Sequence, residues 1–572
     1  MSADLFLPNI SLWLEQGQYQ QIKNVILDRA HIPKVREHGM DIILGVCNHL
    51  NSEKTVWSAE MEECCEFSLL MVAQLSNPKE VLIALQEQVA EFGSSSKFKI
   101  LLLPFQAVLL RLPDKQSNIL NMVLETIGEH VSSLPLPSPG YCFEGKERIL
   151  LDTDPKVQCI SDIYEALAEF YAPFVKQMSL NRVQTKLDDE TCLRERRRVL
   201  KKNLLKTMEK PLMCMDLHYA EGKSPNLLRR TAEKLVHHLS CVCGDLFSLP
   251  EVVHHFQDKH QCSSSFDDGS PPPSLKSLGT IFYLIYGEQL ACVSVPCVYS
   301  QEFVFHTVLL HADLLLRSTE PLAVHKGLLL IQGLLKHVGD SSLSIDCLDH
   351  PIHFQIFQSL IWLAMSGVNS REFKILSVEL WRPYLGKLHP GARYHLLQSL
   401  LPTLEHPGLK GLVINIIKDQ IALCLDKDLP YFLHDRLNGF LPLIWKLPQD
   451  VETDLLEHMD AIMSALNLAR FLLLRDKLNA SGFIKHLPVL EAHFMEPLTR
   501  ALNLSRAHYE LELSKIGSGV SAMCNVLISL PEMSLDQQKS VVETALNSFD
   551  LLESVLARVA ECLHSFTTSP AT

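Results

Sequence analysis

Positive charge is the scarcer sign in this sequence: 52 Lys and Arg stand against 66 Asp and Glu, a formal charge of −14. A protein whose main task is to grip nucleic acid carries the opposite balance, because each phosphate must be met by a cation. Long hydrophobic runs are also missing. The two most apolar stretches, 100–112 and 303–316, are interrupted by Pro104, Gln106 and Arg111 and by His306, His311 and Asp313. Neither approaches the roughly 20 apolar residues that a bilayer crossing needs, so no membrane insertion is expected. The opening MSADLFLPNISLWLEQ has no positive start and no long apolar core, and no secretory signal is expected. No GxxxxGK[ST] phosphate loop, GxSxG elbow or HExxH pair occurs, which removes the common phosphate, acyl-transfer and zinc-protease motifs. The 16 Cys do not form CxxC motifs; Cys47, Cys424 and Cys562 sit in apolar helix text as small hydrophobes of a reducing compartment. The expected location is the cytoplasm, with the nucleus as a second compartment.

What the sequence does contain is helix text of one kind. Apolar residues recur every three or four positions, and Pro, Gly, Ser or Asn punctuate the runs. Sustained strand text is scarce; a segment such as 292–298 is β-tolerant but isolated, and its Pro296 argues against a central strand. Helices are expected at about 9–29, 33–49 and 58–75, then beyond the Asn77-Pro78 turn, with a bend at Pro104. The segment 133–141 is a proline-bearing connection, and QCSSSFDDGSPPPSLK over 261–276 is the strongest linker in the chain. Further helices are expected at about 300–317, 322–337, 353–366, 370–382 (stopped by Pro383), 390–402 and 409–425. Gly327 and Gly333 mark a close helix approach. In the last third, Ile462, Leu466, Ala469 and Leu473 share one face, as do Leu490, Phe494, Leu498, Leu502 and Tyr509, with a kink at Pro497. Ser534 and Gln537 have the spacing of a capping box, and Val542, Ala545, Phe549, Leu552, Leu556, Val559 and Leu563 form a stripe that must be covered.

The pattern predicts an all-α fold, an irregular HEAT-like α-solenoid of antiparallel helix pairs, in preference to one large bundle. The expected organisation is an N-terminal helical-repeat region over 1–260, the linker 261–276, middle repeats over 277–408, a C-terminal HEAT-like region over 409–566 and a polar tail over 567–572.

Two clusters invite a chemical reading. DETCLRERRRVLKK over 189–202 gathers Arg194, Arg196, Arg197, Arg198, Lys201 and Lys202. Nuclear targeting or phosphate binding is the sharp interpretation; a solvated helix face flanked by acids is the favoured one, since no aromatics interleave. Cys241, Cys243, His254, His255, His260 and Cys262 carry zinc-ligand atoms, but CxC and HxC spacings are tight for one ion. Surface histidines beside apolar-face cysteines are expected instead, with no metal, no cofactor and no catalytic residue.

The C-terminal third carries a family resemblance. ETDLLE over 452–457, DAIMSALNLARFLLLRDKLN over 460–479, FMEPLTRALNLSRAHYELEL over 494–513 and FDLLESVLARVAE over 549–561 resemble the glomulin family. LSNPKEVLIAL over 75–85 and LPLPSPGY over 134–141 agree with it. The match is densest from about 409 to 563 and is weak around Cys241, Cys243 and 261–276. The resemblance implies irregular HEAT-like repeats whose C-terminal part clasps the RING domain of the RING-box subunit of cullin-RING ubiquitin ligases, covering the docking surface of the ubiquitin-conjugating enzyme. It further implies an FK506-binding immunophilin and the unphosphorylated hepatocyte growth factor receptor as partners. On the polar sides of the C-terminal helices, the candidates for protein binding are Asn415, Lys418, Asn467, Arg470, Lys477, Arg500, Asn503 and Arg506, several of them within the matching strings. Asn467, Arg470 and Lys477 are spaced to share a helix face, and so are Arg500, Asn503 and Arg506. A general helical adaptor for the immunophilin or the receptor is the alternative, and a helical enzyme using the Cys/His cluster a third. Residue patterns alone reach no further than a helical-repeat interaction protein.

Overall fold

A computed structural model describes residues 6–50, 58–90, 95–112, 117–137, 153–180, 187–218, 226–247, 275–295, 297–365, 371–517 and 535–568. Two compact units are present: Met1–Val338 with Ser366–Ser377, and Gly339–Met365 with Val378–Thr572. Among the described residues all regular structure is helical, apart from one isolated parallel bridge between Leu343 and Leu388.

The first unit contains α1 (Phe6–Glu15), α2 (Tyr19–Leu27), α3 (Ile32–Glu37), α4 (Gly39–His49), α5 (Ala59–Leu75), α6 (Pro78–Ala90), α7 (Ser95–Arg111), α8 (Ser117–Ser132), α9 (Pro155–Leu180), α10 (Leu187–Thr207), α11 (Leu227–Cys243), α12 (Leu275–Phe282), α13 (Gln301–Leu316) and α14 (Pro321–His337). Contacts run mostly to helices one or two places along the chain: α2 and α7 on α5, α4 on α6, α7 on α9, α9 on α11, α13 on α14. Where only four residues join two packed helices, as between α13 and α14, the second must run back along the first. This is the stacked, HEAT-like antiparallel arrangement expected from the sequence.

Local chemistry sets the boundaries. Ser58, Asn226 and Ser300 each accept a hydrogen bond from the backbone N–H three residues on, capping α5, α11 and α13. The helix expected over 9–29 is broken where Gly17 takes φ +71°, a conformation that costs other residues. Pro104 remains inside α7. A Cβ on Gly333 would stand 2.1 Å from the Tyr286 carbonyl oxygen, so the close approach expected at this glycine is backbone against backbone. The tight partner is a π-helical turn, Tyr283–Gly287, that continues α12.

In the second unit, Arg371–Glu379 (α16) straddles the division between the units, and α15 (Ile352–Met365) and α17 (Trp381–Lys387) flank it in sequence. They are followed by α18 (Pro390–Leu400), α19 (Pro407–Lys427), α20 (Met459–Arg475), α21 (Glu496–Gly517) and α22 (Leu535–Thr568). Pro383 does not stop a helix; it stands in the first turn of α17, where its missing N–H has no intrahelical partner to lose. Phe357 packs edge-on against Trp381 and Tyr384, each at 5.0 Å, and Tyr394, Phe432 and Phe440 form a second aromatic cluster. α19 packs on α20, and α22 covers both α20 and α21. All seven residues of the expected stripe on α22 are buried, as are Ile462, Leu466, Ala469 and Leu473. The kink expected at Pro497 takes the form of a π turn over Glu491–Met495, which enters α21 directly before the proline.

Of the linker 261–276, residues 261–274 lie outside the described residues, while Leu275 and Lys276 already belong to α12. Ser534 also lies outside them. At the other end, α22 reaches Thr568, two residues into the segment expected as a tail.

Candidate protein-binding surface

The C-terminal helices divide their polar residues between holding the stack together and facing solvent. Asn415 does the first: its Nδ2 donates to Ser464 Oγ at 3.0 Å, joining α19 to α20. Arg506 does so too, reaching from α21 to Asp550 at 2.7 Å and Glu553 at 2.6 Å on α22. These three groups are well hydrated, which limits what the bridge contributes. Arg506→Ala should therefore lower stability by under about 1 kcal/mol, read as a small shift in the urea midpoint.

The other candidates are placed differently. Asn467, Arg500 and Asn503 are exposed, while Lys418 and Arg470 are half-buried. The Nε of Arg470 is buried without a hydrogen-bond partner, and Arg500 lies 3.7 Å from Glu496 one turn back. Lys477 is exposed but does not continue the face of Asn467 and Arg470, because α20 ends at Arg475. Asp476 closes the helix instead: its carboxylate accepts from Ala480 N at 2.6 Å and Ser481 N at 2.8 Å, turning the chain away.

Apolar residues that the polar candidates do not include belong to the same outward faces. Leu504 is 61% exposed and Leu511 54%. At about 100° per residue they fall on the side of α21 that carries Arg500 and Asn503, opposite the buried Leu498, Ala501 and Leu502. On α20, exposed Leu474 follows Asn467 and Arg470 in the same way. The sequence signal was available: leucines off the core stripe of an amphipathic helix. Solvent-exposed leucine beside arginine and asparagine makes this face the candidate for protein binding on the C-terminal helices.

Among the described residues, no group of three or more His, Cys, Asp or Glu is placed to hold a metal ion. Cys241 Sγ sits 3.6 Å from His237 Nε2 on the same helix, and burial pushes the Cys243 thiol up to about 11, away from reactivity. His254, His255, His260 and Cys262 lie outside the described residues. In the basic segment, Arg196 is buried, donates to Gln177 Oε1 at 2.9 Å and lies over the Phe174 ring. Lys202 donates to Glu125 at 2.8 Å and holds that carboxyl below the usual range. These cations are engaged within the fold. No described helix is long and apolar enough to cross a membrane.

Comparison with known proteins finds similarities in sequence along most of the chain. Residues 300–554 match the model of an uncharacterised protein family described as YAP/Alf4/glomulin. Mouse glomulin is 29% identical over 96% of this chain and 91% of its own length. Human glomulin is 29% identical over 97% of this chain and 92% of its own. Among solved structures, the chain aligns with Kap121p at 14% identity and a TM-score of 0.21, covering 91% of this chain and 46% of that one. It also aligns with a circular tandem repeat protein at 13% identity and a TM-score of 0.20, covering 97% and 96%. The segment 300–554 and the near full-length match to the mouse and human proteins agree in one respect: this chain is similar to glomulin.

Proposed function

We propose that this chain is a non-catalytic binding protein that inhibits cullin-RING ubiquitin ligases by covering the surface of the RING-box subunit on which the ubiquitin-conjugating enzyme docks. The observation that carries the reading is the near full-length relation to glomulin. The exposed leucine, arginine and asparagine on α20 and α21 support it, because masking requires only a surface that binds. A standard specific interface buries about 1,600 Å² in total, and a RING domain is small enough for such a footprint to obstruct its enzyme-docking side. Affinity, rather than chemistry, then sets the degree of inhibition.

The binding step is tested by titrating the chain against the RING-box subunit bound to its cullin fragment. Arg500→Glu combined with Leu504→Asp should weaken binding by roughly 2 kcal/mol, about thirtyfold, with unchanged circular dichroism, because both side chains point away from the core. Unaltered affinity would remove this face of α21 from the interface. Stable capture of an immunophilin or of the receptor, without any affinity for the RING-box subunit, would favour the adaptor reading.

A further inference from the structure

A cleft of about 300 Å³ lies within the second unit, between α19, α20 and the π turn before α21. Its origin is a mismatch in side-chain size. A Cβ on Gly411 would stand 2.8 Å from the Asp460 carbonyl oxygen, so α19 meets the start of α20 at backbone distance. One step further along α20, Ala461 and Ala465 offer only methyl groups. The space left over is floored by apolar residues, including Ile414 and Phe494.

Lys410 forms part of the wall. It is half-buried, and burial pushes its ammonium below the usual lysine range. Among the described residues no carboxylate pairs with it; Glu405 lines the same cleft without forming an ion pair. Lys446 and His458 add two further donors. A cation partly stripped of water without a counter-charge is costly for a fold to maintain, and an incoming carboxylate removes that cost. At this volume the cleft takes one bulky side chain and an adjoining acid, at the lower limit of ligand pockets. At about 100° per residue, Ala461 and Ala465 lie roughly half a turn round α20 from Asn467, so the cleft and the outward face described above are separate surfaces.

We propose that this cleft docks an acidic–apolar peptide segment of a partner protein, with a carboxylate on Lys410 and the adjacent apolar side chain over Ala461 and Ala465. The test uses the full chain and two fluorescein-labelled heptapeptides, followed by anisotropy. One carries phenylalanine between aspartate and glutamate; the other carries it between asparagine and glutamine. The acidic peptide should bind at least tenfold more tightly than its amide counterpart. Lys410→Met should abolish that preference, and Ala465→Leu, which fills the hollow, should weaken both peptides at least tenfold while the chain keeps its circular dichroism. Equal affinity for the two peptides, a preference that survives Lys410→Met, or no binding of the acidic peptide at millimolar concentration would overturn the proposal. Ligase inhibition is not the readout, so the outcome is independent of the reading under Proposed function.

Discussion

Replacing Glu288 with alanine should destabilise the first unit by about 3–5 kcal/mol. The carboxylate is buried at the end of the π turn after α12. It accepts from Tyr283 Oη at 2.8 Å, contacts His218 Nδ1 at 2.7 Å and pairs with the buried Arg229 guanidinium on α11. Arg229 also donates to the Leu217 carbonyl at 2.7 Å and to the Glu288 backbone oxygen at 3.1 Å. Those carbonyls remain after the substitution, but neither carries the charge that Glu288 supplied, so the buried guanidinium loses a counter-charge. Hydrogen exchange of the α11 amides should accelerate by roughly two to three and a half orders of magnitude, since each 1.4 kcal/mol is tenfold.

The same residue defines an acid limb. Burial alone would raise the Glu288 carboxyl, yet the hydrogen bonds from His218 and Arg229, with further help from His218 charge and Tyr283, bring it down from 4.5 to about 2. A group held lower in the folded state contributes its stability in full above the unfolded value and loses it as pH falls. The wild-type unit should therefore weaken between about pH 4.5 and 2, and Glu288→Ala should flatten that limb. A variant with wild-type exchange rates and an unchanged acid limb would show that the cluster contributes nothing.

Gly333→Val has an effect of similar size from a different cause. The atoms nearest the added Cβ are the Tyr286 carbonyl oxygen and carbon and Gly287 Cα, at 2.1, 2.7 and 3.0 Å. All are backbone, and backbone cannot rotate aside as a side-chain tip can. α14 would have to move off the π turn, opening packing around buried Leu330 and Leu334. Overpacking of this kind costs about 3 kcal/mol or more, read as a lower midpoint of urea unfolding. Gly386→Ala on α17 is the contrast: its Cβ meets nothing within 4 Å, and the lost backbone entropy of the unfolded chain should make it neutral or stabilising by up to about 1 kcal/mol. Equal destabilisation by the two substitutions would contradict the close-approach argument.

How much of this was legible in the sequence depends on the range of the interaction. The α22 stripe was readable because a 3.6-residue period within one helix states which side is covered. Gly333 was readable as a close approach, but not the identity of the backbone it meets. Asn415 and Arg506 read as polar residues on the sides of C-terminal helices; which neighbouring helix approaches each of them is a long-range fact. Leu504 and Leu511 are legible as leucines off the core stripe of α21, but their exposure depends on which neighbours cover that side. Lys410 reads as an ordinary first-turn lysine until α20 is laid beside it. The unit boundary after Val338 has no composition signal. It arises because 339–349 folds forward, with Ser341 N donating to the Gly386 carbonyl at 2.9 Å and Lys387 pairing with Asp340 at 2.6 Å. Such a connection spans more than forty residues and leaves no local mark.

The inhibitory reading turns on competition for one face of the RING domain. Its most direct measurement is ubiquitin transfer by a reconstituted cullin-RING ligase, followed as the full chain is added and then as conjugating enzyme is raised. Transfer should fall toward the ligase-free rate and recover, at least in part, with excess conjugating enzyme. An unchanged rate at saturating chain, or inhibition indifferent to the concentration of conjugating enzyme, would contradict it.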